Sequence, residues 1–457
     1  MHLDIVENKQ NLIHKKELRL SKKVRWLIVV VICAISASVN TSNPILSAAV
    51  NQIKKEYNMT TKMFGLVGTF SSFGCLMGSI IFSVLIKSWN NRYLIIATLI
   101  LDIFSLVLII VPFRNYYLLL FSRFIDGICT EMGLLYAPYW AERFAIRKWK
   151  SMIMGLVVPS FCFGDLIGYY INSVTDSLNW RFGLKVEISL ASLIIVVLLI
   201  LSNDYFGSNI FRIEEKGIEL ENINKNEEIT QERDSLFNDI SNENSKESNT
   251  DKKKNPSILD VFKNIPFITM IFFKANKYFI SFSISYWYVE YLEQTLHCTD
   301  KTAIFYSYLF SFILSYMFSM TLGGVIQTAI GGYKGRTTIV VIFIVYLIAF
   351  LFSLGIPLSN SVLYFTVFCT ITITLIAVAE IMSWTVALAV APKEYSSFYV
   401  GIGDCVHLLS SLIPAPFVFG FLLSYFGDGK KTIFCIICYA IVGLFLLIIA
   451  FFNIQKK

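Results

Sequence analysis

Twelve separate apolar runs, each long enough to cross a lipid bilayer, leave this chain few folds other than a bundle of membrane-spanning helices. A helix rises about 1.5 Å per residue, so about twenty apolar residues cover the hydrocarbon core. Inside that core only helices and closed barrels satisfy every backbone N–H and C=O. The runs lie near 26–50, 62–86, 93–113, 116–140, 151–173 and 184–203. They resume near 266–292, 303–329, 337–357, 362–391, 397–426 and 432–453. Composition agrees: 55% hydrophobic against 16% charged residues over 457 leaves too little charge to cover a water-facing surface. The net charge of +7 gathers at helix ends and in one loop, which argues against a nucleic-acid partner.

The reading is an all-α integral membrane protein, twelve transmembrane helices in two pseudo-symmetric six-helix bundles. A basic tail at 1–25 precedes the first bundle at 26–203, and a second bundle at 263–453 ends in a short tail at 454–457. The connector at 204–262 is dense in Glu, Lys, Asn, Asp and Ser, and it lacks the apolar surface to fold alone. Basic residues are retained on the cytosolic side of a membrane. With the N-terminus inside, that side collects the leading tail, Lys87, Arg92, Arg143, Arg147, Lys148, Lys150, Lys334, Arg336 and Lys393. Both termini are therefore expected in the cytosol. The first run is too long for a secretory signal, and which membrane holds the protein is left open.

Nine cysteines do not make a disulfide framework, because eight of them lie in apolar runs. Cys435 and Cys438 have metal or redox spacing but no His or acid beside them, so they read as small hydrophobes. No cofactor, metal or nucleotide loop is expected.

Two motifs narrow the family. Arg123-Phe-Ile-Asp-Gly127 opens a stretch that continues to Ala137-Pro138 and Ala141-Glu142, with Arg147 beyond. Gly331-Gly-Tyr-Lys-Gly335-Arg336 lies in the loop between the eighth and ninth runs, and Lys87-Ser-Trp-Asn-Asn-Arg92 in its counterpart between the second and third. With six plus six helices around a charged loop, these resemble the major facilitator superfamily. The chain is most similar to its Spinster-like branch, through the Arg123 helix, Asn179-Trp180-Arg181, and Ala391-Pro392 through His407-Leu-Leu to Pro414-Ala-Pro416. Ser42 and Asn43 stand where that branch carries Asp-Arg, and Thr130 where it carries Glu. The resemblance implies alternating access about a midplane cavity, a monomer, proton coupling, and a lysolipid or sphingoid phosphate substrate.

Ionisable side chains at bilayer depth cost several kcal/mol unless paired or wetted, so each is a functional candidate. Arg123 and Asp126 are three residues apart and can touch; Thr130 returns to the Arg123 face, with Glu131 to its side. The set reads either as an anion site or as a structural ion pair. Lys274 and Lys277 share one face of the seventh helix, where they bind an anion, meet carboxylates such as Asp102, Asp165 or Glu380, or snorkel to the cytosolic surface. Asp404 and His407, again three apart, are the candidate proton relay, with Asp126, Asp165 and Glu380 as further coupling or gating acids. Pro159 with Gly164 and Gly168, and Pro414 with Pro416, mark helices expected to break. Trp287, Tyr288 and Tyr291 read as an interfacial belt, or with Glu290 as a gate.

The leading expectation is a transporter of an amphipathic anion such as a lysophospholipid. The alternatives are a carrier of a small polar solute (organic anion, amino acid or drug-like compound) and a non-transporting sensor of the same fold. An enzyme is the poorest fit, since no nucleophile with a base or phosphate loop is present.

Overall fold

The computed structural model describes residues 21–111, 114–144, 150–174, 179–206, 258–330, 335–392 and 395–454. Most of the connector, the first twenty residues, and residues 331–334 of the loop motif lie outside these. Six helical passes form the first half. α1 (22–56) comes in three pieces, Lys22–Ser38, Ser42–Ala48 and Val50–Glu56. α2 is Thr61–Ser88, α3 Asn91–Ile110 and α4 Tyr116–Phe144. α5 is Lys150–Val174 and α6 Arg181–Ile200. In the second half, α7 (265–295) is Ile265–Tyr286 extended by Tyr288–Glu290 and the π-helical turn Tyr291–Thr295. α8 (301–329) carries a π-helical stretch, Leu309–Leu314, within it. α9 is Arg336–Ser353 with Gly355–Leu358, and α10 is Val362–Val390. α11 is Ser396–Ser410 and Pro414–Phe426; α12 is Gly429–Cys438 and Ala440–Asn453.

Nine of the described helices are long and apolar enough to cross a membrane by themselves. The other three passes are α4, α5 and α7; the middle of α4 carries Arg123, Asp126 and Glu131, and that of α7 Lys274 and Lys277. The outward faces are greasy: Val30, Leu193, Phe318 and Phe445 are all exposed, as residues that meet lipid tails should be. Polar caps start the helices where the chain leaves the bilayer. Thr60 accepts from the Met63 N–H at 3.3 Å, and Asn264 from the Phe267 N–H at 3.2 Å.

The two halves repeat one packing plan, and one detail shows it at the level of single atoms. Arg92, at the start of α3, donates to the Leu198 and Leu199 carbonyls at the end of α6, at 2.8 and 2.7 Å. Arg336, at the start of α9, donates to the Ile454 carbonyl just past α12 at 2.9 Å. These are equivalent helices six apart in order. Each arginine occupies the place where a helix C-terminus leaves carbonyls unpaired and partly negative.

The breaks fall partly where the sequence places them. α11 breaks over 411–413, just before Pro414. α5, however, runs unbroken through Pro159, and its glycines serve close packing instead. A Cβ on Gly164 would lie 2.3 Å from the Ala37 carbonyl oxygen of α1, so only hydrogen fits there. A further break, which the sequence analysis does not name, is in α1 at Val39–Thr41, where Pro44 can offer no N–H to the Asn40 carbonyl four residues back. The Val39 carbonyl freed there accepts from Thr130 Oγ1 of α4 at 3.2 Å.

The two halves are tied at the face opposite the one where α1 begins and α12 ends. There Lys54 of α1 pairs with Glu290 of α7 at 2.8 Å, and Asn51 donates to Glu293 at 2.5 Å. Tyr169 and Tyr308 bring their rings to 3.8 Å, and the Tyr286 hydroxyl donates to the Phe64 carbonyl at 3.0 Å. α2 lies directly on α11, where a Cβ on Gly65 would stand 2.8 Å from the Pro416 carbonyl oxygen. Toward the terminal face, α4 packs on α1, α2, α3 and α5, and α10 on α7, α8 and α9, each within its own half. The expected aromatic belt is not a belt. Trp287, Tyr288 and Tyr291 are buried in this inter-half closure, with the Trp287 indole donating to the Pro416 carbonyl at 3.0 Å.

Candidate functional site

Beneath that closure, midway along α1, α5, α7 and α8, lies a cavity of about 360 Å³ walled by both halves. Tyr278, Tyr286, Tyr308 and Tyr316 bring four aromatic faces with hydroxyl tips, and Phe161, Phe282 and Phe312 add apolar wall. Asn40 and Asn43 enter from the α1 break, joined by Ser47, Ser281 and Ser285. Asp165 is the acidic lining residue, and its carboxylate accepts from Asn40 Nδ2 at 2.8 Å. No lysine or arginine is among the described lining residues. Such a wall suits a solute with hydroxyl groups and an apolar or cationic face.

Behind the cavity, the first half holds a sealed charge cluster built around the Arg123 motif. Gly127 is what permits it: a Cβ there would lie 2.0 Å from the Ser71 carbonyl oxygen, so α2 and α4 touch backbone to backbone. That approach brings Ser71 Oγ within 3.1 Å of Arg123 Nη2. Arg123 Nη1 reaches Asp126 at 2.8 Å and Ser42 Oγ at 3.1 Å, while Nη2 also donates to Asn43 Oδ1. Ser42 in turn donates to Asp126 Oδ1 at 2.9 Å. Two more acids complete the group, Asp102 from α3 and Glu187 from α6. One carboxylate oxygen from each of Asp102, Asp126 and Glu187 lies within 4.8 Å of the other two, and all three side chains are fully buried.

The second half holds a different network on the α7 lysines. Lys274 Nζ stands 3.0 Å from Asp404 and 4.2 Å above the centre of the Trp384 ring. Lys277, fully buried, has no partner as close: its Nζ donates to Ser383 Oγ at 3.3 Å and stands 3.8 Å from Glu380. The Tyr278 hydroxyl donates to Glu380, and its ring meets His407 edge-on at 4.5 Å between centroids.

The structure thus sorts the sequence candidates into three places. Arg123, Asp126 and Thr130 come together in the first half, as the helical spacing predicts. Lys274, Lys277, Glu380, Asp404 and His407 gather in the second. Asp165 alone lines the cavity. Asp404 and His407 are not joined by a hydrogen bond among the described residues: Asp404 turns to Lys274, and His407 Nε2 is buried without one. Glu131 faces Cys75 and, across the cleft, the Lys274–Asp404 pair. Asp102 lies with Arg123 and not with the lysines. The residues that spacing alone could not gather are Glu187 and the cavity tyrosines, whose partners sit on distant helices.

Comparison with known proteins agrees with this architecture. The structure superimposes on that of a bacterial homolog of the human lysosomal transporter Spinster, inward-facing and unoccupied. The TM-score is 0.68 at 12% identity, covering 95% of this chain and 98% of that one. A D-xylose–proton symporter structure matches equally, with TM-score 0.68, 12% identity, and 92% and 96% coverage. Among curated proteins, the D-xylose-proton symporter-like 2 protein of Arabidopsis thaliana is 28% identical over 138 residues, 30% of this chain and 27% of that protein. The MFS-type transporter acdC of Aspergillus candidus is 24% identical over 170 residues, 36% and 32% of the two lengths. The chain thus spans about a third or less of the length of either curated relative. The model of the Major Facilitator Superfamily matches residues 28–415, and the chain belongs to that family of membrane transporters.

Proposed function

We propose that this transporter carries a small solute bearing hydroxyl groups, neutral or singly cationic, by alternating access between two six-helix bundles at 26–203 and 263–453. The observation that carries the reading is the cavity wall. Four tyrosines, two asparagines and one aspartate offer hydrogen bonds and aromatic faces, and the described lining has no fixed positive charge for an anionic headgroup. The basic loops support a cytosolic terminal face. On that orientation the ties at Lys54–Glu290 and Asn51–Glu293 close the outer side, and the conformation is inward-facing. The acid-rich interior fits protons as the coupling ion, and one structural neighbour is a D-xylose-proton symporter.

A second reading keeps the amphipathic anion, a lysophospholipid or sphingoid phosphate, bound by Arg123, Lys274 and Lys277 with Thr130 and Glu131. It is favoured by Lys274, which stays 14% exposed beside a 42% exposed Asp404 that an anionic headgroup would displace. Uptake into liposomes containing the purified protein separates the two. Labelled D-xylose, a hexose, an organic cation and lysophosphatidylcholine would be tested with and without a pH gradient. Small-solute uptake abolished by Asn43→Ala and by Asp165→Asn is the expected result. Movement of lysophosphatidylcholine alone, lost in Lys274→Ala, would sink the first reading and support the second.

A further inference from the structure

We propose that the interior between α3, α4 and α6 is the proton-binding site of this carrier, with Asp102, Asp126 and Glu187 sharing protons and Arg123 and Asn43 linking them to the cavity. This deepens the reading of the chain as a proton-coupled carrier, and its test needs no substrate.

Charge balance comes first. Three carboxylates converge within 4.8 Å, and the cation that meets them among the described residues is Arg123. One guanidinium neutralises one carboxylate. Two further negative charges a few ångströms apart, fully buried and surrounded by lipid-immersed helices, would repel at a cost that no protein interior sustains. Hydrogen bonding gives a second, independent observation. Asp126 Oδ1 accepts from Ser42, and its Oδ2 pairs with Arg123 at 2.8 Å without forming a hydrogen bond. Both carboxylate oxygens of Asp102 and both of Glu187 are buried with no hydrogen-bond partner. Acceptors left in that state are satisfied when a proton sits between two of them, so that one carboxyl donates to the next.

The proton is favoured over a metal or sodium ion by the position of Arg123. Its Nη1 is already 2.8 Å from Asp126, so an ion seated among the three acids would lie against a guanidinium. A proton lies between two oxygens and displaces nothing. The thiols Cys75 of α2 and Cys129 of α4 also border the cluster, and the Tyr286 hydroxyl lies in the field of Arg123.

The link to transport is the guanidinium itself. Nη1 holds Asp126 and Ser42, and Nη2 holds Ser71 and Asn43, the last of which lines the cavity. A solute that takes Asn43 as its own partner frees Nη2 and lets Arg123 turn wholly to the acids. Solute occupancy and the proton load of the acids are thereby coupled through one guanidinium.

The test is infrared spectroscopy of the purified protein at neutral pH, reading the C=O absorption peculiar to protonated carboxyl groups. The background is Glu131→Gln with Asp165→Asn, which removes two buried acids outside the cluster. The band is expected to persist in that background. Adding Asp102→Asn or Glu187→Gln, each matching the shape of the original side chain, is expected to shrink it by roughly half, one of two shared protons. Absence of the band at neutral pH in the background protein overturns the proposal whether or not the further variants fold. A band that both amide variants leave unchanged overturns it too. So does marked thermal stabilisation of the wild-type protein by sodium chloride over choline chloride, which would make this a cation site.

Discussion

The two halves of the molecule both bury charge at bilayer depth, yet they do it in opposite ways. In the first half three acids surround one arginine, every member is sealed, and the arginine has four partners. In the second half two lysines face two acids, the charges balance, and Asp404 and Glu380 stay 42% and 19% exposed. The same symmetric scaffold therefore carries one rigid, unbalanced cluster and one balanced network open to water. An unbalanced cluster changes its proton load or fails; a balanced, wet one tolerates rearrangement. The proposed proton site accordingly falls in the unbalanced half, and the balanced half is the one left free to adjust.

The comparison breaks most easily at Arg123. Arg123→Ala leaves Asp126 buried without its cation, at about 3–5 kcal/mol, and should lower the thermal unfolding midpoint in detergent more than any other single change named here. Lys277→Met in the second half should cost less, about 1–3 kcal/mol, because the lysine is 3.8 Å from Glu380 and that acid keeps its Tyr278 partner. A destabilisation equal to that of Arg123→Ala would erase the contrast between halves. Glu290→Gln tests the tie between them. Losing the charge opposite Lys54 weakens the closed face by about 1–2 kcal/mol. In a protein whose other cysteines are replaced, labelling of the cavity residue Cys162 by an impermeant maleimide from that face should rise up to tenfold. The smallest effect belongs to Asp404→Asn. Its partial exposure predicts a change within about 0.5 kcal/mol, and a larger loss would show that the second network is as rigid as the first.

The helices were legible because the bilayer imposes a length and a composition that single residues barely disturb. What the sequence could show of the site was limited to neighbours on one helix. Arg123 and Asp126 at three-residue spacing met as expected. Asp404 and His407 at the same spacing did not, because Lys274 on α7 outbids the intrahelical neighbour with a full opposite charge. Glu187, an acid inside the sixth apolar run, was a candidate by the same rule but has no ionisable partner on its own helix at a three- or four-residue spacing. It sits early in the sixth run, two residues from the exposed Lys185, and only the packing of α6 against α3 carries it to Asp102. The α1 break at Val39–Thr41 is signalled only by Pro44, which lies beyond it and acts back on the Asn40 carbonyl. The freed Val39 carbonyl is satisfied by Thr130, a residue more than ninety positions away. Pro159 misled in the other direction: it stands in a helix that continues through it.

Arg92 and Arg336 carry a consequence for how the rim of the molecule responds to its surroundings. Neither loop motif, Lys87 to Arg92 or Gly331 to Arg336, contains an acid, and each guanidinium holds main-chain oxygen. An ion pair at the membrane surface weakens as salt rises and disappears when its acid takes up a proton. A carbonyl dipole does neither. These two clasps therefore change little with ionic strength or acidity, and the rim they hold keeps its shape when the ion pairs elsewhere loosen.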